Sequence, residues 1–426
     1  TVGVKTRSED LALKIVEITP YRLEGKYSDK RHPDEIKFAK TIEEDLSRRD
    51  FTINAMAMAL TTNYKLQTTN KNIVDHFDGQ KDLKNRIIRT VGDPEDRFSE
   101  DALRLMRAVR FAAELDFKIE GKTLASIKKQ SGLLEMIAKE RIRDEFEKMI
   151  MAKDAVKGIE LLESAGLLRH IIPELREGID VNQNRHHIYT VWEHSLKTLD
   201  YSAQKNYSLE VRLASLFHDI AKPKTKRGEG PDSTFYGHEV VSAKMAVKIL
   251  DRLRFSKTLI EKVAHLARYH MFYYNVGDVT EAGVRRFLAR VGPENVDDLM
   301  KVREADRIGS GVPKAVPYKL RHLLFMIEKV KKDPILPKML KLNGNELMEL
   351  LNIKPGPKIG FILSILLEEV LDDPVKNEKE YLSKRALELN KFTDKELKKM
   401  SDKAKESKEE FESGQEEEMK KKYWVK

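Results

Sequence analysis

The sequence predicts a mainly α, multidomain protein with one small β-containing region at its N-terminus. Three observations predict it. The chain has 426 residues, more than a single compact core organises, so roughly two to four domains are expected. Strong helix formers dominate a composition that is 35% charged and 40% hydrophobic. Only residues 1–60 alternate as strands do, whereas apolar residues recur at helical spacing from residue 92 onward.

Taken in order, LALKIVEITPYR (11–22) alternates apolar and polar residues around β-branched Ile15, Val16, Ile18 and Thr19, the pattern of a strand. EGKYSDKRHPDEIKF (24–38) reads as a polar loop running into a short strand. In TIEEDLSRRD (41–50), Thr41 precedes Glu44 by three residues, a capping box that opens a helix. RRDFTINAMA (48–57) then turns into a small apolar helix. Residues 92–154 read as wholly helical, with a stripe through Leu103, Met106, Val109 and Ala113. Two further amphipathic helices are divided at SGLL (131–134), and 155–175 adds another with a glycine stop. Residues 187–330 are rich in histidine and read as five or more helices. Residues 342–371 form a helical hairpin around Pro-Gly-Pro, and from 392 a nearly all-charged stretch reads as a solvated helix or disordered tail.

Composition excludes several classes. With no cysteine, disulfides, thiolate metal sites and cysteine nucleophiles are ruled out, which suits a reducing cytoplasm. No apolar run approaches the ~18–20 residues of a membrane span. A net charge of +9 suits a polyanion such as RNA. The chain begins with Thr1 and shows no secretion-type leader, so it is expected to be part of a longer protein.

Two stretches carry nucleotide chemistry. In EDALRLMR (100–107), Asp101 and Arg104 are three apart, one face if helical, with Arg107 and Arg110 continuing the stripe. Cytosine and adenine each present an exocyclic amine donor beside a ring-nitrogen acceptor. A carboxylate takes the donor and a guanidinium serves the acceptor, while guanine and uracil present the reverse. Glu100 is placed to hold the Arg104 guanidinium in plane. Alone, the motif reads more readily as a surface i,i+3 salt bridge. In RRDFTINAMA, Arg48 and Arg49 offer forked donors to a triphosphate, Asp50 an acceptor to a ribose hydroxyl, and Asn54 follows one turn later. Any three of these residues also describe an ordinary capped helix start.

Together with IVEITPYRLEGKYSDKRHPDEIKF, DHFDGQKDLKNRIIRTVGDPEDRF and ERIRDEFEKMI, these stretches resemble class II CCA-adding tRNA nucleotidyltransferases and the bacterial poly(A) polymerases that share their fold. The resemblance covers residues 15–150. It implies that Arg48 and Asp50 contact the incoming nucleotide, that Asp101 and Arg104 act as a protein template for C and A, and that 140–150 buttresses the template helix. It also implies CTP and ATP as substrates, the tRNA 3′ end as primer, and Mg²⁺ held by two closely spaced aspartates behind a Gly-Gly loop. Nothing before Glu17 matches those elements; Glu17 falls where the family fold has a strand beside the metal site and reads equally as an auxiliary carboxylate or an ordinary strand-edge Glu. This chain alone is therefore expected not to transfer nucleotides unless a second polypeptide supplies the missing half. Poly(A) polymerase and partial CC- or A-adding activity stay open, as does an RNA-binding phosphohydrolase that has lost its polymerase.

The histidine-rich region orders TVWEHS (190–195), LFHDIAK (216–222), FYGHE (235–239), LARYHM (266–271) and READR (303–307). This series resembles the HD metal-dependent phosphohydrolases. The resemblance implies that His194, His218, Asp219 and Asp306 hold one divalent metal (Mn²⁺, Ni²⁺, Fe²⁺ or Mg²⁺), that His238 and His270 complete a second, and that Lys222 neutralises a phosphate. His186, His187, His265 and His322 are read as surface or capping residues. The expected architecture is a partial nucleotidyltransferase α/β palm (1–60), a neck (61–115), a helical tRNA-binding body (116–180), an all-α HD domain (187–330), a hairpin (331–391) and a tail (392–426).

Overall fold

The computed structural model of the protein describes residues 2–10, 13–25, 35–58, 73–184 and 188–403. Most of the polar loop expected within 24–38, His186 and His187, and the tail beyond 403 lie outside the described residues. The described residues are mainly helical, with short β-elements confined to the N-terminal part, and they fall into two compact units. The first comprises 1–268 and 305–312, the second 269–304 and 313–426.

The first unit opens with an antiparallel pair, β1 (Val2–Lys5) and β2 (Ile15–Ile18), in which Gly3 faces Glu17. A second pair joins β3 (Arg22–Glu24) to β4 (Ile36–Phe38). The expected strand at 11–22 is thus two shorter ones, because Thr19 and Pro20 fall between them and proline cannot continue a ladder. Helix α1 (Ile42–Ser47) starts at the Thr41–Glu44 capping box. The small apolar helix expected after Arg49 is a single 3₁₀ turn, Thr52–Asn54, running into β5 (Ala57–Met58), which pairs with β6 (Ile73–Val74). The correction has a local cause: Thr52 Oγ1 donates to buried Asp82 at 2.8 Å, and Gly79 backs so closely on the Thr52 carbonyl that a Cβ there would lie 2.4 Å from it. Helix α2 (Gly79–Asn85) and β7 (Ile87–Ile88) follow.

Helices α3 (Pro94–Glu100) and α4 (Leu103–Glu114) lead to β8 (Lys118–Ile119), which pairs with β7. The apolar stripe of α4 is fully buried at Leu105, Met106, Val109 and Ala112. It packs on α6 (Lys139–Met151) and α7 (Ala155–Ser164), beyond α5 (Gly121–Gln130) and a 3₁₀ segment at SGLL. Gly158 is required in α7, since a Cβ would meet the Met149 side chain at 2.4 Å. Two short helices, α8 (Leu168–Ile171) and α9 (Pro173–Arg176), end this part.

The histidine-rich part contributes α10 (Val191–Gln204), α11 (Leu209–Phe217), α12 (Lys222–Thr225), α13 (His238–Arg252) and α14 (Lys257–Tyr269). Arg212 on α11 is 2% exposed. Its guanidinium donates to the carbonyls of Ile150 (2.9 Å) and Ala152 (2.9 Å) at the end of α6, Ala203 (3.3 Å) at the end of α10, and Tyr207 (3.0 Å). Helix C-termini leave carbonyls unsatisfied and carry partial negative charge, so one buried cation serves two of them.

The second unit holds α15 (Glu281–Val291), most of α16 (Pro293–Gly309), α17 (Tyr318–Val330), α18 (Gly344–Leu351), α19 (Pro357–Asp372) and α20 (Lys379–Leu389). The hairpin expected at 342–371 is α18 and α19, with Pro357 at the first turn of α19. The charged stretch from 392 departs from expectation at its start. Residues 394–403 form a helix capped by Thr393, and Leu397 is fully buried against α19 and α20 residues. Sparse apolar positions at one helical face suffice to anchor it. No helix of the described residues is long and apolar enough to cross a membrane.

Replacing Arg212 with Met removes four hydrogen bonds to carbonyls, of which only that of Ala203 keeps a backbone amide, from Asn206. Urea unfolding of the Arg212→Met protein is expected to show a loss of roughly 3 kcal/mol, and a loss under ~0.5 kcal/mol would contradict the clamp.

Candidate functional site

The first constellation gathers at the N-terminus of α4. Asp101 is not on a helix face with Arg104, as the spacing suggested. It is the extended residue between α3 and α4, and its Oδ1 accepts from Leu103 N at 3.1 Å. Short acidic side chains favour such capping positions over helix interiors. Its carboxylate is gripped by Arg141 of α6, at 3.2 Å and 2.7 Å. Arg104 is nearly buried and donates to Glu100 Oε2 (2.6 Å), to the Arg97 carbonyl (3.2 Å) and to the Arg48 carbonyl (3.1 Å). Glu100 therefore orients the guanidinium, and that guanidinium touches the RRDFTINAMA run.

Arg107 closes the other side, with Nε and NH2 each 2.7 Å from Asp50 Oδ2. Asp50 Oδ1 also accepts from Phe51 N (2.9 Å) and Asn54 Nδ2 (3.3 Å). Arg48 and Arg49 are held by one buried carboxylate, Asp45, at 2.7 Å and 3.3 Å. Burial alone would raise the Asp45 carboxyl, but the Arg48 guanidinium, the Arg22 amide and Arg49 bring it below the usual range. Arg110 turns inward instead, 2.8 Å from buried Glu145 of α6 and over the Phe111 ring. Glu17 lies on the exposed β1–β2 pair. Among the described residues, side chains grouped to hold a metal occur only in the histidine-rich region, so the residues here do not fit a Mg²⁺ for nucleotidyl transfer.

Asp45, Arg97, Arg141 and Glu145 were not singled out individually from sequence. Asp45 was findable, since it stands three and four residues before Arg48 and Arg49 on one helical face. Arg141 gives no local signal: it is forty residues from Asp101 and reaches it only through the packing of α6 on α4.

The second constellation is buried. His194 sits on the second turn of α10, whose start is fixed by a Thr190–Glu193 capping box. His218 follows the last turn of α11, Asp219 comes next, and Asp306 projects from α16. The His194 Nε2 lies 3.0 Å from His218 Nε2, 3.2 Å from Asp219 Oδ2 and 3.3 Å from Asp306 Oδ1. His218 Nε2 is 3.3 Å from Asp219 Oδ2 and 3.7 Å from Asp306 Oδ1. Asp219 Oδ1 faces His238 Nε2 at 3.1 Å, from the first residue of α13.

The tautomers follow from carbonyl neighbours. His218 Nδ1 lies 2.9 Å from the Ser215 oxygen and His238 Nδ1 2.7 Å from the Phe235 oxygen. A carbonyl only accepts, so each Nδ1 carries hydrogen and each neutral ring aims an Nε2 lone pair inward. Nitrogen and carboxylate acceptors that converge at about 3 Å in a buried pocket need positive charge between them. Two imidazoles and two carboxylates suit a divalent first-row metal or Mg²⁺, whose adjacent ligands at bond lengths of ~2.1 Å lie about 3 Å apart. Without a cation, a proton takes this role. Burial opposes charging His218, yet Asp219 and Asp306 raise it to about 10, and the two carboxylates raise His194 as well. Burial likewise opposes ionisation of Asp219, but His218, Lys222 and His194 hold it well below the usual carboxylate range.

Lys222 is buried with its ammonium 2.6 Å from Asp219 Oδ2 and 2.6 Å from Gln183 Oε1. The charge expected at a phosphate is directed onto a candidate ligand instead, because the i,i+3 spacing on the turn after His218 points it back. His270 is buried just past α14 and belongs to the second unit.

Known proteins share these features. Residues 1–89 match the family described as Poly A polymerase head domain, 116–179 the probable RNA and SrmB-binding site of polymerase A, and 191–309 the HD domain. An A-adding tRNA nucleotidyltransferase of Deinococcus radiodurans is 34% identical over 349 residues, 79% of this chain and 76% of the relative. A CCA-adding enzyme of Ligilactobacillus salivarius is 32% identical over 373 residues, 88% and 78%. A CC-adding tRNA nucleotidyltransferase of Thermus thermophilus is 33% identical over 348 residues, 80% and 76%. The crystal structure of Bacillus stearothermophilus CCA-adding enzyme in complex with CTP aligns with a TM-score of 0.62 at 25% identity, covering 89% of this chain and 80% of that one. With this sequence similarity, the α4 constellation and the histidine–aspartate cluster in one chain, the protein belongs to the CCA-adding and poly(A)-polymerase-like nucleotidyltransferase family and carries an HD domain.

Proposed function

We propose that this protein reads CTP and ATP through Asp101 and Arg104 for addition to the 3′ end of tRNA, and that its HD domain hydrolyses phosphate esters of RNA ends. The observation that carries the first part is the closed arginine–carboxylate network at the start of α4. It links Arg104 to the Arg48 backbone and Arg107 to Asp50, so base-reading and sugar- and phosphate-reading groups share one rigid frame. Preorganised donors lose little on binding, which is how a template without nucleic acid can discriminate. Arg48, Arg49, Asp50 and Asn54 serve sugar and phosphates in this reading. Glu100 and Arg141 orient the template pair, Arg107 and Arg110 brace it, and Glu17 remains an auxiliary carboxylate. The domain limits expected from sequence are retained as part of the proposal. A second reading within the same chemistry, addition of CC or of A alone, is favoured by the relatives that bear those names.

In the HD domain, His194, His218, Asp219 and Asp306 would hold one divalent cation. His238 stands toward a second, with His270 proposed from sequence order. When bound, the cation supplies Lewis acidity toward a phosphate ester and the attacking water. The chain's own residues exclude bulk solvent, fix ring tautomers and, through Lys222, fix the Asp219 carboxylate.

Cation and proton compete for the same lone pairs. In chelator-treated protein, His218 titrates at about 10 against ~6.5 unfolded. A raised value stabilises fully below the unfolded value and loses that contribution as pH rises through 10. Asp219, depressed, has the opposite sign and loses its contribution only as pH falls below about 4. Thermal midpoints of chelated protein are therefore expected to fall between pH 7 and 10 more steeply than those of His218→Gln, and Mn²⁺ is expected to flatten the slope. Equal slopes for the two proteins would refute the pairing.

Competition against a fluorescent nucleotide is expected to show CTP and ATP binding ahead of GTP and UTP. Asp101→Ala or Arg104→Ala is expected to erode that preference by about tenfold, the scale of one bidentate base contact. Unaltered preference in both variants would remove the template assignment. With a polypeptide that supplies the Mg²⁺-binding aspartates also present, CTP alone and then ATP alone, given with tRNA lacking its end, separates CCA from CC and A addition. For the HD domain, Mn²⁺ or Ni²⁺ is expected to support opening of a 2′,3′-cyclic nucleotide by the wild type but not by Asp219→Ala. An intact cyclic nucleotide with both metals would count against the hydrolase.

A further inference from the structure

Gln183 lies in the stretch 181–184, outside helix and strand, that leads toward α10, and it is 6% exposed. It belongs to no motif quoted from the sequence. Its side chain spans two neighbours. The amide nitrogen donates to the Tyr189 carbonyl (3.2 Å) and the Thr190 carbonyl (3.4 Å), while the amide oxygen accepts from Lys222 Nζ at 2.6 Å. The orientation is fixed by chemistry: only the NH₂ end can face two carbonyls, and only the oxygen can face an ammonium. Thr190 is the N-cap of the helix that carries His194, so Gln183 ties that helix start to Lys222.

Lys222 is hemmed in on every side that has been described. Its ammonium touches Asp219 Oδ2 at 2.6 Å and the Phe235 ring lies 5.6 Å away. A turn later, Lys226 donates to the Asn182 carbonyl at 2.8 Å, so two lysines clip the 182–183 stretch to α12 and its end. Asp219 meanwhile turns Oδ2 toward His194 and His218 and Oδ1 toward His238. The rotation of that carboxylate sets whether both oxygens can serve, and Lys222 is the described cation that holds Oδ2.

We propose that Gln183 is a positioning residue of the metal centre, acting through Lys222 on the Asp219 carboxylate. This rests on the reading that the cluster holds a divalent cation. A buried ammonium that loses one of its acceptors bears a desolvation cost and reorients toward whatever acceptors remain. The acceptor that remains beside it is Asp219, so loss of Gln183 pulls the carboxylate out of register with the imidazoles. Partners of metal ligands typically change metal affinity by about 10–100-fold when removed.

The test is calorimetric titration of the chelator-stripped full chain with Mn²⁺, run as a double-mutant cycle. Gln183→Met keeps the side-chain length and removes the acceptor. It is expected to weaken Mn²⁺ about tenfold in the wild-type background and by less than about twofold in a Lys222→Met background. Should Gln183→Met fail to fold, Gln183→Asn, which withdraws the oxygen by one methylene, carries the same expectation. Equal weakening in both backgrounds would show that Gln183 does not act through Lys222. Unchanged affinity in the wild-type background, even with a lowered melting temperature, would reduce Gln183 to a purely structural tie. A wild-type chain that takes up no Mn²⁺ overturns the metal reading itself, and this inference with it.

Discussion

One buried guanidinium sets the frame of the first unit. Arg212 is fully desolvated and makes its four hydrogen bonds to carbonyls and none to a carboxylate. Burial lowers its tendency to hold a proton. The charge is tolerated because three of the carbonyls, Ile150, Ala152 and Ala203, belong to helix C-termini, where the helix dipole is negative. Replacing this arrangement by an ion pair would satisfy the arginine but take its donors from the Ile150 and Ala152 carbonyls at the end of α6. The clamp therefore fixes where α6 stops relative to where α11 runs.

Both candidate sites are indexed from that joint. Helix α6 begins with Arg141 on Asp101, continues with Glu145 on Arg110, and ends on Arg212. Helix α11 carries Arg212 one turn from its start and reaches His218 at its end. At an α-helical rise of ~1.5 Å per residue, the six residues from Arg212 to His218 span about 9 Å. The positions of Asp101 and Arg104 and of the histidine cluster are thus consequences of the same two helices. Around Asp101 and Arg104 the guanidiniums and carboxylates form a shared network: Arg48 and Arg49 meet Asp45, Arg97 and Arg104 meet Glu100, Arg107 meets Asp50, Arg110 meets Glu145 and Arg141 meets Asp101. The half-buried setting makes these pairs directional rather than merely attractive, since forked donors meet planar acceptors.

What was legible in the sequence is what local chemistry decides. The Thr41 cap, the buried stripe of α4 and the Pro357 start of α19 were readable because each needs only neighbours within a turn or two. His194, His218, Asp219 and Asp306 were readable as an ordered set, and they do converge. Other features were not. The pairing of Asp101 and Arg104 on one helix face failed because a capping preference at Asp101 overrode helical continuity. Arg141 and Gln183 were invisible because their partners are set by tertiary packing, and a lone arginine or glutamine in sequence carries no sign of its partner. A helix was one of the two readings of the charged stretch; what its charge hid was the packing of Leu397 and Met400 of 394–403 onto the α18–α20 core.

The electrostatic design of the histidine cluster explains why it is built around a lysine. With a proton in place of a cation, one imidazolium and the Lys222 ammonium balance the carboxylates of Asp219 and Asp306, so the pocket is close to neutral and remains folded. A divalent cation that displaces the proton leaves these groups with one positive charge in excess. That excess is costly in a closed apolar pocket and becomes favourable when an anionic phosphate ester arrives to balance it. In the proposed reading, Lys222 would thereby raise the affinity for an anion without touching it. An uncharged residue at 222 would make the cation-loaded pocket neutral, and the drive to recruit a phosphate would fall even though every ligand remained in place.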